Sequence, residues 1–186
     1  MGKEKMQDAP ASFKHRGPEG EGWKNATSGL PPFFNMGIGD ILQGILEKVE
    51  IREKVKKDKK GQPLKDSEGQ LITVDRYYYT IRLNQDAEAT GGKHGDVEFA
   101  SGDVVTLSGS GQLDNAVAKE AYLLAGHKEE DFDPDTVEVD YKALYGREIF
   151  IQRCPKEEIK KGEWAGKLAN RFTFQHREAV KEAVAA

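Results

Sequence analysis

Apolar and polar side chains alternate along most of this chain, and the interruptions in that alternation divide it into short elements. The segment Asp40–Val55, DILQGILEKVEIREKV, sets Ile45, Val49 and Ile51 on one parity and Glu50 and Arg52 on the other. Leu42, Ile45, Leu46 and Val49 also fit a helical stripe, but Gly44 and the β-branched content favour a long, bent strand. Residues 56–70 are polar and hold Gly61, Pro63 and Gly69, which predicts a loop or a protruding β-ribbon. Leu71–Leu83, LITVDRYYYTIRL, is the clearest strand. Its Tyr77, Tyr79, Ile81 and Leu83 suit a core face, and Tyr78, Thr80 and Arg82 the opposite one.

Residues 84–96 form a second polar turn region, and a third strand is expected over Val97–Leu107 with Gly102 as a bulge or bend. Residues 113–125 carry a helical stripe of Val117, Ala121, Leu124 and Ala125, with Asp114 as N-cap and Gly126 past the C-terminus. The acidic residues 127–146 read as irregular. Two strands follow, at 147–153 (Ile149 and Ile151 against Phe150 and Gln152) and at 170–177 (Phe172, Phe174 and His176 against Thr173 and Gln175). Internal repeats are not evident. Residues 1–36, rich in Gly and Pro and without period, read as a flexible N-terminal tail that Trp23, Phe33 and Phe34 are expected to tack onto the domain; 37–178 form one domain and 179–186 a C-terminal extension.

Composition narrows the class. Only 37% of the 186 residues are hydrophobic and 32% are charged, so part of the chain is expected to be solvated. No stretch approaches the roughly 20 apolar residues of a membrane helix, and the N-terminus lacks the apolar run of a secretory signal; a cytoplasmic, non-membrane protein is expected. The single Cys154 excludes an internal disulfide and a Cys-based zinc cluster. The net charge of −4 is unevenly spread: residues 86–140 hold 14 acidic and 3 basic side chains, whereas 41–85 hold 7 and 10, and 141–186 hold 6 and 10.

Three strands, a helix and two strands, with a long glycine-bearing first strand, describe an all-β protein: a five-stranded OB-fold barrel with one helix between strands 3 and 4. In that fold oligonucleotides lie across strands 2 and 3 and between the 1–2 and 4–5 loops. Those loops, residues 54–75 and 154–169, are where the basic residues gather. A leading G-x-x-x-x-V (Gly44 to Val49), the aromatic run Arg76-Tyr77-Tyr78-Tyr79, F-x-x-G-D-x-V-x-L (Phe99 to Leu107) and GREIFI (Gly146 to Ile151) together resemble the OB-fold single-stranded DNA-binding proteins of bacteriophages over residues 37–177. The resemblance implies a role in phage DNA replication, recombination or repair in the host cytoplasm. Its implied partners are single-stranded DNA and replication or recombination proteins, with a homo-oligomer left open. Bacterial-type members end in an acidic, partner-recruiting tail; this chain ends KEAVAA.

Single-strand binding requires cations along the phosphates and flat rings for the bases. The candidates are Lys54, Lys56, Lys57, Lys59 and Lys60 in the first loop; Arg153, Lys160, Lys161, Lys167 and Arg171 in and beside the second; Arg82; and the rings of Tyr78, Phe150 and Trp164. Lysine rather than arginine suits mobile contact without sequence preference. No catalytic set is expected: the four histidines are scattered, DFDPD at 131–135 lacks the Gly and Glu of a calcium loop, and the glycine runs at 37–39 and 109–111 lack a phosphate-loop Lys. No cofactor or metal is expected. The alternative reading is an OB-fold protein-interaction module, an assembly or host-targeting factor, using its acidic 127–140 segment.

Overall fold

A computed structural model describes residues 29–180. Trp23, most of the expected tail and the last six residues of the expected extension lie outside the described residues. The strands are β1 (Ile41–Val55), β2 (Thr73–Leu83), β3 (Ala87–Ala89), β4 (Val97–Phe99), β5 (Val104–Ser108), β6 (Glu148–Glu158) and β7 (Leu168–Arg177), with helix α1 (Gly111–Leu124) between β5 and β6. Short 3-10 turns occupy Glu129–Asp131 and Tyr141–Leu144. The chain forms two compact units, one holding residues 50–78 and the other residues 32–49 together with those from 79 onward.

The second unit is built on a five-stranded sheet of order β5-β2-β1-β6-β7. The chain winds through β1, β2 and β5 in turn, then returns by the long helical connection to lay β6 beside β1, which is a Greek-key path. Its core face carries Leu42 and Leu46 from β1, Tyr79, Ile81 and Leu83 from β2, Val105 and Leu107 from β5, Ile149 and Ile151 from β6, and Phe172 from β7. Against it α1 buries Leu113, Val117, Ala118, Ala121 and Tyr122.

Expectation and structure differ in the parity of β1. The buried residues are the even ones, Leu42, Gly44 and Leu46, while Ile51 is 48% exposed. Leu42 and Leu46 are four apart, a spacing that satisfies a strand and a helix alike, so the β-branched odd positions mislead. Gly44 is the reason this parity packs. A Cβ there would be driven into the Arg82 carbonyl and lie 2.9 Å from Ile81 Cγ2, so only glycine lets β1 and β2 approach so closely.

The expected third strand is two strands. Gly102, at φ +95°, turns the chain: Gly102 N–H donates to Leu83 O and Asp103 N–H to Ala100 O. That turn separates β4, which pairs with β3 in its own two-stranded ribbon, from β5 in the main sheet. The helix begins at Gly111 after Ser110, not at Asp114; the Asp114 carboxylate instead accepts the Tyr79 hydroxyl at 2.5 Å. The buried stripe is shifted accordingly, leaving Leu124 40% exposed. Gly126, at φ +98°, ends the helix as expected.

The sheet is not closed into a barrel: β5 and β7 are its two edges and do not pair with each other. Unpaired edges leave main-chain groups to satisfy. On β5, Thr106 N–H donates to Pro32 O and Phe34 N–H to Thr106 O, each at 2.8 Å, so residues 32–34 run along the edge as a parallel strap. Phe34 and Met36 are buried with that strap, 1% and 6% exposed. Residues 32–36 therefore belong to the packed unit, a correction to the expected boundary at 37. On β7 the partner is a side chain. The Gln112 amide donates to Phe172 O at 3.1 Å and accepts from Phe172 N–H at 2.6 Å, standing in for one rung of a ladder. The helix N-terminus thus fills the seam where barrel closure was expected.

Replacing Gln112 with Ala leaves both Phe172 main-chain groups without this partner in a part-buried place. We expect a loss of about 1–3 kcal/mol, seen as a fall of roughly 2–4 °C in the thermal midpoint for each kcal/mol. A Q112A midpoint within about 1 °C of the parent would show that the seam is held by something else.

Candidate nucleic-acid interface

The two lysine groups are carried by different units, the first by residues 50–78 and the second by the β6–β7 hairpin.

In the first unit β1 and β2 continue as a ribbon whose tip is more ordered than a loop. Lys56 N–H donates to Ile72 O, Ile72 N–H to Leu64 O, and Leu64 N–H to Lys56 O, at 2.8, 3.0 and 2.8 Å. Three backbone positions eight residues apart thus close a ring of hydrogen bonds, with one tight turn between each successive pair. The turns have the same construction. Asp58 Oδ1 accepts the N–H groups of Lys60 and Gln62, and Asp66 Oδ1 those of Glu68 and Gln70. Gly61 and Gly69 both take φ +81°. The sequence carries the signal as a near-repeat, KDKKGQPL at 57–64 and KDSEGQLI at 65–72, which corrects the expectation of no internal repeat.

Lys56, Lys57, Lys59 and Lys60 are exposed on this tip. Lys54 stands lower on the ribbon; partial burial, then the charges of Arg76 and Lys57, depress its pKa. Arg52 pairs with Glu50 at 2.7 Å. Tyr78 departs from expectation: it is 4% exposed, so its ring face is not open to a base. Burial raises the pKa of its hydroxyl, against the opposing charges of Arg76 and Arg52. The strict alternation of β2 lapses here, because Tyr78 and Tyr79 are buried in succession.

In the second unit the β6–β7 hairpin is pinned at its tip by Ile159 N–H to Lys167 O and Gly166 N–H to Ile159 O. Trp164 sits in that tip, 58% exposed, with Lys167 Nζ 4.8 Å from the centre of its ring. Lys160 and Lys161 are exposed in the same turn. The indole is exposed in the turn, and the Lys167 ammonium lies over one of its faces as a cation–π contact.

The arginines assigned to binding are engaged elsewhere. Arg153 Nη1 donates to Met36 O at 2.5 Å and Nη2 to Asn170 Oδ1 at 3.0 Å, tying the strap to β7, so both terminal nitrogens are already engaged within the fold. Arg171 pairs with Glu157 on the adjacent strand, and Arg82 with Glu47 at 2.7 Å. Both pairs are partly exposed, and such pairs contribute little, so a phosphate could compete for either arginine.

Phe150 is half-buried on the face of the sheet away from α1, in a transverse row with Gln43 on β1 and Gln175 on β7. The neighbouring row is Ile45, Glu148 and Arg177. Glu148, 8% exposed, is fully engaged: Oε1 accepts from Arg177 Nε at 2.5 Å, and Oε2 from Gln43 Nε2 at 2.8 Å and Asn84 Nδ2 at 2.6 Å. Sequence reasoning missed this group. Its only trace is a Glu on the parity of Phe150 and Gln152. His176, on the helix-facing side, accepts from Arg147 Nε at Nδ1, which leaves the ring proton on Nε2 for Glu120 Oε1 at 2.9 Å.

Among the described residues no three His, Cys, Asp or Glu side chains are placed to hold a metal ion, and no helix is long and apolar enough to cross a membrane.

The hydrogen bond from Arg177, with those from Gln43 and Asn84, holds the Glu148 carboxyl down at about 2, against an ordinary 4.5. A depressed carboxyl contributes stability that is present above its unfolded value and lost as pH falls through the folded one. The difference in thermal midpoint between the parent and E148Q should therefore be constant above about pH 5 and shrink between 4.5 and 2. A difference independent of pH over that range would show that the ionised form is not what matters.

No protein-family model matches this chain, and no curated protein and no solved structure shows a significant similarity to it.

Proposed function

We propose that this protein is an OB-type domain that binds single-stranded DNA with little sequence preference and without catalysis, serving DNA replication, recombination or repair. The strand order β5-β2-β1-β6-β7, with its one helix between the third and fourth main-sheet strands, supports the fold reading: this is the Greek-key path of an OB domain, with the sheet left open between β5 and β7.

The observation that carries the functional reading is the β6–β7 hairpin tip. It displays a tryptophan at 58% exposure, flanked by Lys160, Lys161 and Lys167. An exposed indole costs solubility and contributes nothing to the core, whereas a base stacked on it gains on the order of 1–3 kcal/mol whatever its identity. The lysines supply the charge that a phosphate chain requires, and the exposed lysines of the ribbon tip offer a second such surface. The acidic helix and following segment carry no comparable ring at their surface, which places the protein-interaction alternative second.

In a W23F background Trp164 is the sole indole. Titration with oligo-dT should quench it, with an affinity that falls steeply as salt rises. W164A should bind about 5- to 100-fold more weakly, the equivalent of one lost stack. Unchanged fluorescence up to micromolar DNA at low salt would overturn the assignment and favour the protein-interaction module.

A further inference from the structure

A cleft of about 230 Å³ opens on the solvent face of the sheet where β1, β6 and β7 run side by side, lined by Gln43, Glu148, Phe150, Gln175 and Arg177 among others. All these residues lie in one compact unit. We infer that this cleft is a nucleotide subsite, in which a base stacks on Phe150 between the amides of Gln43 and Gln175 while the adjoining phosphate meets Arg177. The inference rests on the single-strand reading and gives it a second contact point, on the opposite end of β6 from the Trp164 tip.

Register dictates the arrangement. Gln43, Phe150 and Gln175 are direct cross-strand partners, so their Cβ atoms stand about 5 Å apart in a line across the sheet. A flat ring centred between two amides is suited to a planar heterocycle: the ring supplies the stacking surface, and each amide has both a donor and an acceptor end. The Gln175 amide makes no hydrogen bond among the described residues. Gln43 uses its Nε2 on Glu148, which turns its oxygen away from that carboxylate as an acceptor.

The row of Glu148 and Arg177 lies two residues further along each strand, on the order of 7 Å away on the same face. Glu148 holds Arg177 by Nε alone. The Arg177 side chain is 66% exposed, so the terminal amino groups of its guanidinium remain for a phosphate. Glu148 is a positioning residue here. Its carboxylate would repel a phosphate if it were bare, but three donors occupy it and it is only 8% exposed. What the cleft presents outward is a ring, two amides and half a guanidinium.

The test uses the full chain, an oligo-dT carrying 5-iodo-deoxyuridine, and variants F150L and R177Q; leucine keeps the apolar volume and loses the π-face. Irradiation should crosslink the parent at Phe150, located by peptide mass spectrometry, and F150L should lose that crosslink and bind at least about fivefold more weakly with its thermal midpoint kept. R177Q should lower the slope of log affinity against log salt by about 0.7, one phosphate on a single strand. If oligo-dT binds and quenches Trp164 while both variants bind like the parent and no crosslink maps to β6 or β7, the subsite is overturned and the single-strand reading stands. If oligo-dT does not bind the parent, both fall together.

Discussion

An open antiparallel sheet has two rows of main-chain donors and acceptors that nothing in the sheet itself satisfies, and the second unit is organised around that requirement. One edge is met by backbone, the strap at residues 32–34 along β5. The other is met in part by a side chain, Gln112 on Phe172. Each solution commits neighbouring residues. The strap must be anchored, and Arg153 and Asp40 do so: Arg153 on the Met36 carbonyl, Asp40 by accepting Gly37 N–H and Thr90 N–H at 2.7 Å each. The glutamine must be carried by a helix start lying against β7, which fixes α1 on the core face. The cleft at Phe150 lies on the opposite face.

This arrangement divides the cations by chemistry. Arg153, whose planar fork holds two segments at once, and Arg147, on His176, are drawn into the framework, whereas Arg171 and Arg82 sit in partly exposed cross-strand pairs and Arg177 is held by one nitrogen. The lysines at the two tips are exposed, Lys167 lying over the Trp164 ring. On the proposed single-strand reading, these lysines would supply the charge along the phosphates beside the stacking rings.

The strands and the helix were largely legible because period two and period 3.6 are strong signals where a face is buried. β2 illustrates this: Tyr79, Ile81 and Leu83 are in the core as alternation indicates. What escaped were features decided by a single contact across long sequence separation. The buried parity of β1 depends on the approach of Arg82 to Gly44. The role of Arg153 depends on a carbonyl 117 residues away. The burial of Tyr78 and the engagement of Glu148 likewise have no local signature. The break at Gly102 was visible as a glycine, but a bulge and a turn to a separate ribbon read the same in sequence. At the β6–β7 tip, the exposure of Trp164 and of the lysines beside it was legible, because a large ring in a polar loop is itself anomalous.

The ring of hydrogen bonds at positions 56, 64 and 72 has one more consequence. Each of the two intervening turns leaves and re-enters the ring within a single hydrogen bond, and each is capped by its own aspartate. Such a turn is an interchangeable cassette: closing a longer excursion costs entropy that grows only with the logarithm of its length. A foreign peptide could be inserted after Ser67, in the turn without candidate lysines, leaving the ring at 56, 64 and 72 untouched, which makes that turn a display site for labels or affinity handles.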